Sequence, residues 1–346
     1  IPNVSREQVI WYGEKYTPEQ AKSISGVKTV KFLDDFEIVF NEMAARSERI
    51  FLNMNEYPKY ITEVPYRDLR FAQWVREKYP THTVERLAPL LTELRLIKSD
   101  VEIEIMKKAC KIMDQGFRRV LRTIRPGMME YEVEAELSYE FLRNGSSGFA
   151  YPAIIASGKN ACILHYCVND KPCKNGDLVL MDFGAEYANY SADCSRTFPV
   201  NGKFTERQRQ VYDAVLRVLR KTIKLLVPGV TLDQVQEEVC KMIDNECIRL
   251  GLYTEQDKAA HPDKKFYYGY YMHGVSHFLG LDVHDVGTRQ VVLQKGMVVT
   301  CEPGIYIESE GIGVRLENDI IVDENPIDLM IDIPIEADEI EELMRK

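Results

Sequence analysis

Most of the short patterns that name a chemistry outright are absent from this sequence of 346 residues. No stretch approaches the roughly 18 apolar residues that a membrane helix needs, and the opening IPNVSREQV has no basic-then-apolar signal pattern. The eight cysteines, at 110, 162, 167, 173, 194, 240, 247 and 301, contain no C-x-x-C pair. A chain of this size can be stabilised by its core alone, so buried thiols in a reducing, cytoplasmic setting are expected rather than a disulfide framework. H-E-x-x-H does not occur, which leaves a helical zinc protease unsupported. Neither a G-x-S-x-G elbow nor a Walker P-loop is present, which removes the simplest serine-hydrolase and nucleotide readings. Clustered basic charge is also missing: 44 Lys and Arg are interspersed among 54 Asp and Glu, for a net charge of −10, and such a surface disfavours nucleic acid.

What is present is an ordinary globular composition, 45% hydrophobic and 28% charged, so disorder is not expected over any large part. The length points to two domains, one larger than average. Residues 1–95 mix strand-like runs at 27–33 and 50–52 with helical stretches at 34–46 and 66–78, an α/β pattern. At Ser99 the pattern changes, because Ser99 and Glu102 form a capping box before a long amphipathic stretch reaching Ile124. The spacing predicts a boundary near residue 96 and a second domain over 96–346. A first residue of Ile rather than Met suggests a trimmed amino terminus.

The second domain contains an internal repeat. One helix runs into Arg125-Pro126-Gly127 and a second, Glu130–Arg143, ends at Asn144-Gly145. The later copy has a helix capped at Thr205, then Val227-Pro228-Gly229, then a helix from about Leu232 to Gly251. Downstream, Gly176, Asp182 and Gly184 lie 120 positions before Gly296, Glu302 and Gly304. Each copy is an apolar strand that ends in a carboxylate and a turn, followed by a second carboxylate on the next strand, Asp193 and Glu317. Two such halves would pack about a pseudo-twofold axis and bring their carboxylates together.

Carboxylates buried as unpaired charges cost several kcal/mol each. Arg196 and Arg315 could match Asp182, Asp193, Glu302 and Glu317 in part, but negative charge remains in excess, and two divalent metals would settle the balance. Ordinary salt-bridged edge carboxylates are the alternative for any one of them. Of six histidines, three fall within HGVSHFLGLDVHDVG, as His273, His277 and His284. His165 in ILHY stands before the first hairpin much as that triplet stands before the second. His82 and His261 are read as structural, Cys194 and Cys301 as buried thiols facing away from the ligands, and Gly184 and the glycines near His273 as turn residues.

The segments MDFGAEYANYSADCSRTFPV, HGVSHFLGLDVHDVG, EPGIY and GVRLEND strongly resemble the pita-bread metallopeptidases, the family of aminopeptidase P, prolidase and methionine aminopeptidase. The resemblance covers roughly residues 96–335. It implies an α+β pita-bread fold with a pseudo-twofold repeat, preceded by a smaller, creatinase-like α/β domain that looks shorter than usual. It also implies Asp182, Asp193, His277, Glu302 and Glu317 as ligands of two metals, with His165, His273, His284, Tyr306 and Arg315 lining the substrate site. ILHY and the Ser276 of HGVSH look more like the aminopeptidase P branch, which implies release of the first residue from peptides with proline second. Prolidase, an Xaa-Pro dipeptidase, is the alternative. A non-catalytic binding module of the same fold is disfavoured because every ligand position is kept.

On this reading Glu302 takes a proton from the attacking water, His284 or His273 stabilises the developing oxyanion, and Arg315 orients Glu317 or Tyr306. An oxygen-rich donor set with one imidazole favours Mn²⁺, with Co²⁺ or Zn²⁺ as competitors. Expected partners are peptides, with neither nucleic acid nor membrane, and the resemblance implies a homodimer.

Overall fold

The computed structural model describes residues 1–54 and 64–345, and the chain divides into two compact units, Ile1–Leu91 and Thr92–Lys346. The first unit is built from α1 (Arg6–Tyr12), α2 (Pro18–Ser25), α3 (Phe36–Ala44), β1 (Arg49–Leu52), α4 (Arg67–Lys78) and β2 (Thr83–Arg86), and the division falls within α5 (Ala88–Leu96). Strands β1 and β2 pair in parallel, Arg49 against Thr83. Parallel pairing needs a crossover, and α4 lies between the two strands in the chain. Ile50, Leu52, Ala72 and Val75 form the small core, with Phe40, Phe71 and Trp74 against it. The expected strand at 27–33 is not formed. There the main chain bonds to Ile1, through Ile1 N to Lys31 O and Leu33 N to Ile1 O, and otherwise to near neighbours, Val27 N to Ser25 Oγ and Asp35 N to Phe32 O, and an alternating run without a partner strand gains no ladder.

The second unit begins with α6 (Asp100–Thr123), whose Ser99–Glu102 capping box is present, followed by α7 (Glu130–Arg143). Then come β3 (Gly148–Phe149), β4 (Ile154–Ser157), β5 (Leu178–Phe183), β6 (Ala185–Tyr187), β7 (Tyr190–Ser191) and β8 (Cys194–Pro199). The second half repeats the plan with α8 (Glu206–Ile223) and α9 (Leu232–Arg249), then the short α10 (Glu255–Ala260), β9 (Val298–Cys301), β10 (Gly304–Ile307), β11 (Ile312–Arg315), β12 (Asn318–Ile321) and β13 (Ile327–Asp328), closed by α11 (Ala337–Leu343).

The repeat is visible in the hydrogen bonds. Gly127 N bonds Cys173 O and Cys173 N bonds Met128 O; Gly229 N bonds Leu293 O and Leu293 N bonds Val230 O. Both Pro-Gly turns need a left-handed residue, with φ +90° at Gly127 and +95° at Gly229, where a Cβ would be strained. In the first half β5 lies between β4 and β8, and in the second β9 pairs with β12. Apolar faces of the paired helices cover these sheets: Phe117 of α6 and Phe141 of α7 pack on Phe183 at 6.1 and 6.5 Å, and Phe117 on Phe198 at 5.6 Å.

Glu130, fully buried at the start of α7, organises the segment after β4. It accepts from Ser157 N (2.8 Å), Ser157 Oγ (2.6 Å), Asn160 Nδ2 (3.1 Å), Tyr166 Oη (2.8 Å) and Lys171 N (3.0 Å). Five donors satisfy a carboxylate with no cation at hand, and together they tie down the loop that carries His165. Replacing Glu130 by Ala would strand buried donors, so we expect a loss of ~2–4 kcal/mol in denaturant unfolding. A change below ~0.5 kcal/mol would show that the network carries no such weight.

Candidate metal centre

The centre is assembled where the two halves meet. Asp182 ends β5, and its register partner on β8 is Ser195. Asp193 precedes β8, Glu302 follows β9 and Glu317 lies between β11 and β12, so three of the four carboxylates sit one residue outside the strands. His277 reaches the centre because its segment runs beside β9: Thr300 N bonds His277 O, Glu302 N bonds Val275 O, and Phe278 bridges Val299. From α9, Gln236 fixes the same segment, accepting from Val275 N at 2.7 Å and donating to His273 O at 3.2 Å.

Asp193, His277 and Glu317 each offer a donor atom within 4.8 Å of the other two. Asp182 joins through Tyr151, whose hydroxyl lies 2.5 Å from Asp182 Oδ1 and also meets Asp193 Oδ1. Glu302 joins through His277, with Oε1 3.6 Å from Nε2. His277 Nδ1 contacts Phe278 O at 3.0 Å, which assigns the proton there and leaves Nε2 directed at Asp193 and Glu302.

Only one of the two expected cations serves the carboxylates. Arg315 donates to Asp182 Oδ2 (2.6 Å), Ser195 Oγ (2.9 Å) and Tyr306 Oη (3.0 Å), and Ser195 Oγ passes the contact on to Glu317 Oε2 at 2.8 Å. Arg196 instead donates to main-chain carbonyls, of Glu317 at 2.7 Å and Pro334 at 2.9 Å, so its hydrogen bonds serve the backbone rather than the ligand carboxylates.

Burial and the charge excess together act on several of these groups. Burial raises the Asp182 carboxyl above its usual range despite Arg315, and burial with Asp193 nearby raises Glu317 well above its own. Glu302 is pushed up to about 7, chiefly by burial. Burial opposes charge on His277, but Asp193 and Glu302 outweigh it and hold the imidazole up to about 9. Behind Asp193, Asp319 is buried with Oδ2 accepting from Asp193 N at 3.2 Å, and burial raises its carboxyl well above the usual range. Hard oxygen donors with one oriented imidazole and too few cations are a set that divalent metals fit.

The remaining expected residues surround this cluster. His273 is brought down to about 4 by burial and by Arg315, so its ring is neutral. Its Nδ1 meets Gly274 O at 2.8 Å and its Nε2 meets Tyr306 Oη at 2.9 Å. With both nitrogens engaged, His273 has no spare donor for an oxyanion. The exposed His284 stacks edge-on against His277 at 4.4 Å between ring centroids, and His165 is exposed near His273. Beside Tyr306 lies an apolar cluster of Ile154, Ala156, Ala161, Tyr166 and Leu180, with Leu164 and Met272 against it.

Gly184 and Gly304 differ from the expected turn role, since neither has a positive φ. A Cβ on Gly184 would meet Ala192 O at 2.0 Å and Tyr151 Cε1 at 2.7 Å, and one on Gly304 would meet Tyr306 Oη at 2.6 Å. In the first half the glycine makes room for the Tyr151 phenol against Asp182, and in the second for the Tyr306 phenol that Arg315 and His273 hold. Gly280 is likewise a close-packing position, and of the glycines in 273–287 only Gly287 has a left-handed φ, at +120°. Cys194 and Cys301 are buried free thiols on their strands, and all eight cysteines are free. His82 bonds Ala44 O in the first unit, and His261 packs near Phe266. Tyr151, Ser195, Asp319 and Gln236 were not singled out from sequence; an isolated Tyr or Ser carries no spacing signal, and only the 120-residue offset of Gly184 from Gly304 hinted that matching positions hold matching work.

Comparison with known proteins agrees with this geometry. The model of metallopeptidase family M24 matches residues 104–324, and that of the aminopeptidase P N-terminal domain matches residues 1–51. The chain is 44% identical over 270 residues to the Xaa-Pro aminopeptidase of Haemophilus influenzae, covering 74% of this chain and 62% of the relative's length. It is 35% identical over 350 residues to the Xaa-Pro aminopeptidase of Escherichia coli, covering 97% and 79%. A Bacillus anthracis structure assigned to aminopeptidase P superposes with a TM-score of 0.92 at 41% identity, covering 99% of this chain and 81% of that one. With its five ligand-type residues converging between two repeated halves, this chain belongs to metallopeptidase family M24 and has the pita-bread fold.

Proposed function

We propose that the protein is an Xaa-Pro aminopeptidase that uses two divalent metals, held by Asp182, Asp193, His277, Glu302 and Glu317, to release the first residue from peptides with proline second. The observation that carries this reading is the buried surplus of carboxylate served by Arg315 alone among the two candidate arginines. The Xaa-Pro aminopeptidases among its relatives, at 35–44% identity, support the substrate class. Manganese suits the oxygen-rich donors best. Eight free cysteines support a reducing, cytoplasmic setting, and no helix among the described residues is long and apolar enough to cross a membrane. A homodimer is the assembly that the resemblance implies.

The metals, when bound, would lower the pKa of a water and polarise the scissile carbonyl. Glu302 sits at the edge of the cluster, with a carboxyl range that suits moving a proton near neutral pH. His284 and His165 stand exposed at the mouth as donors to substrate oxygens, His284 closest to His277. His273 is held as a wall: Arg315 Nη1 donates to Tyr306 Oη, and Tyr306 in turn to His273 Nε2. A proline amide offers no N–H, so its ring must be read by shape, and the apolar cluster beside Tyr306 supplies such a surface.

Metal binding must displace protons from groups that burial and mutual repulsion keep protonated. Affinity is therefore expected to rise with pH through the range of about 7 to about 9 set by Glu302 and His277. Calorimetric titration of the metal-free protein in two buffers of different ionisation enthalpy should show net proton release at pH 7. Equal heats in both buffers would contradict the charge-excess account.

Asp182→Asn and Glu302→Gln should each remove most bound metal or activity with the fold intact. Full activity in either would exclude this centre. His284→Ala should lower kcat by roughly 10²-fold with metal retained, whereas loss of metal would make His284 a ligand. For substrate class, Ala-Pro-Ala, Ala-Pro, acetyl-Ala-Pro-Ala and Ala-Ala-Ala are compared with Mn²⁺ supplied. Rapid release of Ala from the first alone is expected. Ala-Pro as the sole good substrate would make the enzyme a prolidase, and equal cleavage of Ala-Ala-Ala would remove the proline requirement.

A further inference from the structure

The loop that carries His284 is braced from behind by a buried ion pair that the chemistry above does not use. Asp285 follows His284, and its side chain is only 1% exposed, as is that of Lys98. Lys98 Nζ lies 3.1 Å from Asp285 Oδ2. Arg95 donates to Asp285 Oδ1 and, at 2.7 Å, to Asp282 Oδ2. The base of this clamp is itself fixed, because Lys98 N bonds Gly296 O at 2.9 Å and Ile97 bridges Met297 next to β9. The loop closes over it: Asp285 N bonds Phe278 O, Gly280 N bonds Asp282 O, and Ser191 N bonds Gly280 O.

Two glycines show how tightly the loop is seated. A Cβ at Gly280 would lie 2.3 Å from Asp285 Oδ2 and 2.9 Å from Lys98 Cε, and one at Gly287 would lie 2.6 Å from the Phe278 ring and 3.0 Å from Leu96 Cδ2. Burying an ammonium and a carboxylate costs desolvation that apolar residues of similar volume would avoid. Stability alone is therefore a weak reason for the pair. What the pair does supply is a single register for residues 278–287, which leaves the His284 ring 4.4 Å from that of the proposed ligand His277.

We propose that Lys98 and Arg95 are positioning residues for His284, acting through Asp285. The proposal rests on the reading that His284 meets the substrate, and the brace holds its imidazole over the metal centre. Displacement of a catalytic group by about 1 Å can cost on the order of 10²-fold in rate, so a loosened brace should be read in kcat before KM.

The test uses Lys98→Met, Asp285→Asn, their double variant and Lys98→Arg in the full chain. Imidazole spectra of metal-free, histidine-labelled protein report the ring directly, with the His284 signal assigned by its loss in His284→Ala. In both single variants and in the double, the His284 signal is expected to shift or broaden while those of His82 and His261 stay. kcat on Ala-Pro-Ala should fall by roughly ten- to a hundredfold with KM within about threefold, and Lys98→Arg should recover part of it. The double variant has no orphaned buried charge, so its thermal midpoint should return toward wild type while kcat stays at the level of the singles. It also carries the test if a single variant does not fold. An unmoved His284 signal, or a kcat that recovers together with stability in the double, overturns the proposal. Wild-type kcat in His284→Ala would instead remove the substrate role of His284, and the spectra alone would then decide whether the brace holds the ring.

Discussion

Confining four carboxylates and one imidazole in a largely buried space is the constraint around which the second unit is arranged. Of Arg196 and Arg315, it is Arg315 that meets that charge directly, and it does so from the second half of the repeat by reaching Asp182 of the first. Through Ser195 it also touches Glu317, and through Tyr306 it sets His273. One guanidinium thus fixes the relative register of both halves, which suits a planar fork with five donors better than any other side chain. The charge it leaves uncompensated shows in the raised carboxyls of Asp182, Glu302 and Glu317. That surplus makes the centre receptive to divalent cations.

Rigidity around the centre comes from main-chain bonds to buried side chains rather than from long ladders. Gln236 of α9 grips both Val275 and His273, Arg196 holds the main-chain carbonyls of Glu317 and Pro334, and Glu130 gathers the loop that carries His165. The sheets are short, two or three strands each among the described residues, so such clamps stand in for sheet size. Each holds a segment that presents a functional side chain. The groups proposed to meet the peptide, His165 and His284, are exposed, while Arg196, Glu130 and Arg315, which orient others, are buried.

The proton states are sorted by the same packing. His273 and His277 lie within one short segment, yet one is held neutral and the other charged. The difference is their neighbours: a guanidinium and a phenol for His273, two carboxylates for His277. Five residues of sequence therefore deliver one ring suited to lining a pocket and one suited to metal.

Sequence alone determined what is local or periodic. The caps at Ser99 and Thr205 and the helices Glu130–Arg143 and Leu232–Arg249 follow from propensity, capping and apolar spacing within a few residues. The 120-residue echo of Asp182 and Glu302 followed from the same local patterns occurring twice, and the match of MDFG, HGVSH and EPGIY segments named the family. The failed strand at 27–33 shows the limit, since alternation does not say whether a partner strand exists. The tertiary structure decided the rest: which arginine meets the carboxylates, that Gly184 and Gly304 admit phenols, that Tyr151 joins Asp182 to Asp193, and that Lys98 sits under Asp285. Apart from the approach of Tyr306 to Gly304, these contacts link residues 31 to 187 positions apart. No local spacing encodes such a pairing, because it exists only once the chain has closed around the buried charge that the pairing serves.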